Sequence, residues 1–571
     1  MTDLGIAKSF FLGRLRSDLA FPFPELSAGD KETLNLLLDS LRKFARDKID
    51  PKQIDKESRV PPEVIQGLAQ LGILGMAVPE EYGGYGFPAT SYARVIEELV
   101  AIDASVAITI AAHQSIGFKA LLLFGTEEQK KKWLPDLASG KILAAYCLTE
   151  AGSGSDAQSL QTAAIHTDDG ATWILNGEKI WITNGGIASA YTVFAKTEVV
   201  ENGEKKKKVT CFWVPKDLGG ITTGKEEDKL GLKGSSTTVV HFENVRVPKE
   251  NVIGEVGKGF KIAMEVLNQG RLGLGAGSLG GCKFLLGQTA LHAKTRHQFQ
   301  QPIANFEMIK DKIADMTTST FALENMVYLT SGLVDKKFPD YSIEAAMCKI
   351  YGTEILWRVC NHAIQTAGGI AYVKEYPYER MMRDARINMI FEGTNEILHL
   401  FVALNGLKEP SERLKSKAKA LKNPLTAIPA AMSLATGGGK GGVKPPPVPG
   451  VLQEEAKVVA DAVGELGAAS RKLIMKYKKE IMEKEFMQQR ISDIATDIYG
   501  ILSSLSRTSR TMKEKGEKEA KREIELTQAF TKDAAERIER NLAKIDKNDD
   551  PLTSKVSDAT VAAGGYGIGL Y

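Results

Sequence analysis

Residues 172–183 read Thr172-Trp173-Ile174-Leu175-Asn176-Gly177-Glu178-Lys179-Ile180-Trp181-Ile182-Thr183. Aromatic and β-branched residues recur on either side of Asn176-Gly177, which suits a pleated, half-buried surface. Asn-Gly tolerates the two positive φ values of a type I′ turn, so the stretch predicts a hairpin. Short β-rich runs follow at 191–196, 209–214 and 238–245. The middle of the chain, 142–256, therefore reads as a β domain.

On both sides the period changes from two to between three and four. Leu34, Leu37, Leu38, Leu41, Ala45 and Ile49 line one face of a helix over 31–49. Pro61-Pro62 opens a second helix that ends near Gly72, and helical patterning continues through 90–124 and 127–138, giving an N-terminal helical domain over 1–141. Long helices return from 259, including 306–336 and 342–367, so 257–407 reads as a helical bundle. Residues 408–452 carry Lys415, Lys417, Lys419 and Lys422, an apolar run at 425–435 and a Gly/Pro-rich run, the composition of a linker. Basic residues beside an apolar run also suit peripheral membrane contact. Residues 453–571 form a C-terminal helical domain, with Ile491, Ile494, Ile498, Ile501 and Leu505 in one stripe. The fold class is mostly α with a central β domain and a C-terminal helical extension.

The net charge of +3 makes no case for nucleic-acid binding. Cys147, Cys211, Cys282, Cys348 and Cys360 are scattered and form no metal-ligand spacing, so buried thiols and no metal are expected. No run approaches ~18 uninterrupted apolar residues, the length needed to cross a bilayer. The N-terminal 25 residues read poorly as a signal or transit peptide.

One motif is deceptive. Gly275, Gly277 and Gly280 fit GxGxxG, but no strand precedes them, and small residues for close helix packing explain them better. Two others carry chemistry. Residues 146–156 (YCLTEAGSGSD) place hydroxyls and backbone N–H groups in a tight turn next to Trp181-Ile182-Thr183-Asn184, where an aromatic and a hydroxyl could flank a planar ring. Residues 391–397 (FEGTNEI) put a carboxylate on a Gly-opened turn, which locally fits either a solvated turn or a reactive group.

Taken in order, these motifs resemble the acyl-CoA dehydrogenase family. The resemblance extends through Val78-Pro-Glu-Glu-Tyr-Gly-Gly, Leu232-Lys-Gly-Ser-Ser, Arg246-Val-Pro, Gly257-Lys-Gly-Phe, Arg296-His-Gln-Phe299, Gln365-Thr-Ala-Gly-Gly369 and Arg383-Asp384. Ala112-His-Gln-Ser-Ile-Gly-Phe118, Leu267-Asn-Gln-Gly-Arg271, Lys484-Glu-Phe-Met-Gln-Gln-Arg490 and the C-terminal extension are most similar to the very-long-chain subgroup.

The resemblance implies FAD as cofactor and a long-chain acyl-CoA as substrate, oxidised to the trans-2-enoyl-CoA. It implies electron-transfer flavoprotein as acceptor and a homodimer. The compartment would be the cytoplasm of a bacterium, with possible membrane association, or the mitochondrial matrix and inner membrane of a eukaryote. Glu392 matches the catalytic base. Tyr146, Leu148, Thr149, Gly154, Ser155, Trp181, Ile182 and Thr183 match flavin-lining positions, with Thr183 expected near N5. Arg296, Phe299, Gln365, Gly368 and Gly369 match segments that hold the pyrophosphate and adenosine, partly from a neighbouring subunit, and Thr394, Asn395 and Glu396 match further FAD contacts. Ser155, Asn268, Arg271 and Gly393 match acyl-CoA contacts. Some relatives carry the base just before the arginine that aligns with Arg271; here that position is Gly270. Relatives on this fold also include a respiratory-complex assembly scaffold and acyl-CoA oxidases, the alternatives to a dehydrogenase.

Overall fold

The computed structural model describes residues 4–421 and 439–569, with side chains omitted at 417–421. The chain divides into two compact units, Pro24–Ile397 and a second made of Met1–Phe23 with Leu398–Tyr571.

In the larger unit, Ser27 accepts from the Asp30 N–H and starts the helix Ala28–Lys48. That helix buries the Leu34, Leu37, Leu38, Leu41 and Ala45 stripe. The stretch expected to be helical over 90–124 is broken into the helices Ala89–Ile102, Ala104–Ala111 and Lys119–Phe124, with a π turn at Ala112–Gly117. Side chains within the turn explain the break. His113 bonds the Leu137 carbonyl at 3.0 Å and accepts from the Ala144 N–H at 3.0 Å, while Gln114 donates to the Ile73 carbonyl at 2.7 Å. Burial pushes the His113 pKa down to about 4, which keeps the ring neutral and able to accept. Residues 104–124 are long and apolar enough to cross a membrane by length and composition, yet most of this run is buried inside the protein.

The sheet runs in the order 221–223, 237–248, 172–183, 163–166, 190–201, 204–215 and 252–253, with Ala144–Cys147 pairing in parallel to Ala190–Glu201. The hairpin expected at Asn176-Gly177 does not form: Thr172–Thr183 is one continuous 12-residue strand. Its register against Thr237–Pro248 slips between Leu175 and Gly177, where Gly177 lies at φ 152°. Asn-Gly here marks an irregularity because neighbouring strands hold both halves in one ladder. A two-residue hairpin forms elsewhere, at Phe299-Gln300, with φ of 49° and 64° and Gln298 paired to Gln301.

The 37-residue helix Gly259–Thr295 is the axis of the helical part, packed by Ala89–Ile102, Glu307–Asp335 and Ser342–Ala367. A Cβ at Gly280 would lie 2.0 Å from the Glu97 carbonyl, one at Gly277 3.0 Å from Val100, and one at Gly275 3.1 Å from Cys348. The GxGxxG pattern is thus helix packing. All five cysteines are buried and free, and no group of metal-binding side chains occurs among the described residues.

In the second unit, Gln453–Tyr477, Glu485–Lys515 and Lys521–Asp546 bury the 491–505 stripe, and Ser506 bonds the Ala20 carbonyl. The helix Asn395–Leu421 runs past Leu407, through Pro410, where the sequence pattern suggested a linker. Strong helix formers and a Glu409–Arg413 pair at i,i+4 sustain it. Lys422 and the apolar run 425–435, on which the membrane reading rests, lie outside the described residues.

Candidate active site

Glu392 sits at φ 55° and Gly393 at φ 94°, two successive left-handed residues in the turn before the helix Asn395–Leu421. A non-glycine residue in that region needs support from its surroundings. Thr394 Oγ1 supplies some, capping the helix by accepting from the Ile397 N–H at 3.3 Å. Lys349, fully buried in the helix Ser342–Ala367, donates to the Gly393 carbonyl at 2.9 Å and to Asn395 Oδ1 at 2.7 Å. The Asn395 amide donates to Thr353 at 3.1 Å and to Glu354 at 3.2 Å. Its side chain is engaged within the protein, which leaves its backbone for any cofactor contact.

The turn drives the Glu392 carboxyl against Gly270. A Cβ at Gly270 would lie 2.4 Å from Glu392 Oε2, so no side chain fits there while Glu392 holds this pose. Oε2 is buried and has no hydrogen-bond partner. Burial pushes the Glu392 pKa up to about 7, against the opposing charges of Arg271 and Lys349. Arg271 donates to Asn268 Oδ1 at 3.0 Å. The structure therefore brings Glu392, Gly393, Asn268 and Arg271 together. Glu392 also borders an apolar cavity with Gly273, Leu274, Gly277, Ala107 and Ala111. A neighbouring cavity of about 160 Å³, reaching Tyr92 and Lys119, shares Gly273 and Ser115 with it.

The second cluster surrounds Trp181. Lys179, with no exposed surface, donates to Glu150 Oε1 at 2.7 Å and to the Leu148 carbonyl at 3.1 Å. Ile180 N–H donates to the Thr149 carbonyl at 3.0 Å. Burial pushes the Glu150 carboxyl up, but the bonds from Lys179, Thr162 and Gln161 hold it below its ordinary value. These bonds clamp the 146–156 turn to the strand carrying Trp181, which stands at φ 56° and is 62% exposed. Ile182 is buried, while Thr183 ends the strand. Nothing lies within 4 Å of a Cβ built on Gly152 or Gly154. An exposed tryptophan face, the hydroxyls of Thr149, Ser155 and Thr183, and an open glycine turn form a donor set that fits a flavin. Tyr146 packs on Phe194 at 5.1 Å and donates to the Ala263 carbonyl at 3.4 Å.

Arg296 and Phe299 lie far along the long helix from Arg271 and the Glu392 turn. Arg296 follows that helix's end, about 37 Å along the axis from Arg271 at ~1.5 Å per residue. Phe299 is 87% exposed, and Gln365, Gly368 and Gly369 are also exposed. Lys349 and Lys179 were missed in the sequence, since a lone lysine within a helix or strand ordinarily marks a solvated face.

Models of the acyl-CoA dehydrogenase N-terminal, middle and C-terminal domains match residues 31–141, 145–245 and 257–407, and the ACAD9/ACADV C-terminal domain matches 450–566. The very long-chain specific acyl-CoA dehydrogenase of Rattus norvegicus is 41% identical, over 95% of this chain and 84% of that protein. A probable acyl-CoA dehydrogenase of Bacillus subtilis is 37% identical, over 83% of this chain and 80% of that protein. An acyl-CoA dehydrogenase from Bacillus anthracis, solved with FAD, superposes with a TM-score of 0.82 at 33% identity, covering 98% of this chain and 94% of that one. The chain belongs to the acyl-CoA dehydrogenase family. It is an FAD-containing oxidoreductase that acts on acyl-CoA in fatty acid β-oxidation.

Proposed function

We propose that Glu392 removes the α-proton of a long or very-long-chain acyl-CoA as the substrate becomes the trans-2-enoyl-CoA. The observation that carries this is the Glu392 Oε2, buried and unpartnered, on a residue that lines an apolar cavity. A base working near neutrality needs a pKa raised towards 7, and burial supplies that here. The α-carbon of a saturated thioester is a weak acid, so charge developing on the thioester oxygen must be stabilised. The backbone N–H of Glu392 is the chain's own donor for it, and one such donor contributes about 3–4 kcal/mol in the transition state. Bound FAD supplies the two-electron acceptor for the β-hydrogen.

Thr149, Ser155, Trp181 and Thr183 would hold the flavin, and Asn268 and Arg271 the thioester end of the substrate. Arg296, Phe299 and Gln365 to Gly369, exposed and remote along the helix, would reach the FAD of a second copy in a homodimer; sedimentation of a monomer with full FAD would refute this. Ala111 and Ser115 line the cavity, and its neighbour shares Ser115 and Gly273, which supports room for a long chain. Gly117 is occupied otherwise: a Cβ there would lie 2.7 Å from the Ala112 carbonyl. Electron-transfer flavoprotein is the proposed acceptor.

The test is an anaerobic titration of the yellow protein with palmitoyl-CoA. Bleaching of the flavin band is expected. A flavin-loaded protein that palmitoyl-CoA does not bleach overturns the long-chain reading, and one that no acyl-CoA bleaches supports a scaffold role.

A further inference from the structure

We infer that Lys349 is the positioning residue of this site, holding the Glu392 turn in its left-handed pose and favouring the carboxylate form of the base through space. The inference rests on the reading of Glu392 as the base.

An ammonium fully buried in a helix is held there at a cost unless its protons and charge are satisfied. Lys349 spends its two hydrogen bonds on one short segment, the Gly393 carbonyl and the Asn395 side chain. These groups lie one and three residues after Glu392. Fixing the peptide that follows Glu392 prevents the turn from relaxing to an ordinary φ. That relaxation would withdraw the carboxyl from Gly270. Its charge acts differently from its hydrogen bonds: no direct bond to Glu392 forms, so the carboxylate is stabilised through space while Oε2 stays unpartnered for a proton.

Four groups on neighbouring elements face Glu392 electrostatically. They are Arg271 from Gly259–Thr295, Lys349 from Ser342–Ala367, Tyr92 from Ala89–Ile102 and Tyr146 from Ala144–Cys147. The two tyrosines are neutral near pH 7, because burial raises both phenols further. Lys349 in turn feels Arg271, Glu354 and Glu396. Burial lowers its pKa to about 8 despite the pull of Glu392, so it is cationic at neutral pH. Two cations thus oppose the burial that raises Glu392, and Lys349 is also bonded to the turn carrying it.

The test compares Lys349→Met and Lys349→Gln in the FAD-loaded full chain. It follows the rate of flavin reduction by palmitoyl-CoA from pH 5.5 to 9, with FAD content and melting temperature as controls. Both neutral variants should move the acid limb of the profile up by about one pH unit, slowing reduction about fivefold at pH 7 and about tenfold at pH 5.5 to 6. The Gln variant, which keeps a donor for the Gly393 carbonyl, should recover to within about threefold of wild type at pH 9, and the Met variant should not. Half-saturation by palmitoyl-CoA should stay within about twofold. An unmoved acid limb with a rate lowered equally at every pH would overturn the inference, as would loss of FAD or of folding in both variants. Glu392→Gln serves as the control for the underlying reading. If it turns over, the base assignment fails; if it is dead while the Lys349 limb stays fixed, only the present inference fails.

Discussion

Lys179 and Lys349 are both fully buried, and each stands near a glutamate, yet they leave their carboxylates in opposite conditions. Lys179 bonds Glu150 directly at 2.7 Å, the carboxylate collects two backbone N–H groups as well, and its pKa falls below the ordinary value. Lys349 bonds a carbonyl and an amide instead, and Glu392 keeps a bare oxygen and a pKa raised to about 7. A saturated ion pair is a clasp that fixes a loop. A cation held one step away from its carboxylate leaves that carboxylate able to change protonation state, which a base must do and a clasp must not.

The most drastic way to break the comparison is Glu392→Gln. It should bind FAD and acyl-CoA normally but slow flavin reduction by at least about a thousandfold. A variant that reduces its flavin at near wild-type rate in stopped-flow would return Glu392 to the class of ordinary turn residues.

Lys179→Met attacks the other member. It strands a buried carboxylate, so stability should fall by about 3–5 kcal/mol in denaturant unfolding, and FAD should dissociate as the 146–156 turn loosens. A loss under about 1 kcal/mol would mean that the Glu150 bonds to Gln161 and Thr162 suffice alone.

The pH dependence of stability should separate the two glutamates by sign. The raised Glu392 pKa favours the folded state at low pH, and that contribution is lost as pH rises from about 4.5 through about 7, at most about 3 kcal/mol. Glu150, whose folded pKa is lowered, contributes stability above its unfolded value and loses it as pH falls through the folded one. Glu392→Gln should remove the first slope and keep the second; identical curves for wild type and variant between pH 5 and 8 would contradict the raised value.

The mildest perturbation is Gly270→Ala. Its methyl would meet Glu392 Oε2 at 2.4 Å and displace the carboxyl by a fraction of an ångström, so flavin reduction should slow about tenfold with FAD content unchanged. An unaffected rate would show that the carboxyl works from another pose.

The order of helices, sheet and helices was legible because each part repeats its own period over many residues. The Glu392 turn was legible as a turn, since glycine follows the carboxylate. Its local pattern fits a solvated turn equally well, and only the family resemblance pointed to a base. What stayed hidden depends on tertiary neighbours. Asn176-Gly177 looks like a hairpin, yet adjacent strands hold it in one ladder, while the hairpin at Phe299-Gln300 carries no turn residue at all. Lys349 and Lys179 are buried only because carbonyls and amides from other elements converge on them. The helix beyond Leu407 survives Pro410 because its flanks are strong helix formers.

The contact between Gly270 and the Glu392 carboxyl bears on how such a site is inherited. On the reading of Glu392 as the base, the reaction asks for a carboxylate at one point in space, and two distant stretches of chain border that point. Whichever stretch provides it, the other must stay bare, because both together would crowd two like charges into one dry volume. A lineage could pass the role from one stretch to the other only by trading both residues as a pair. Two homologues with the base at different places in their sequences can therefore share a single chemical address.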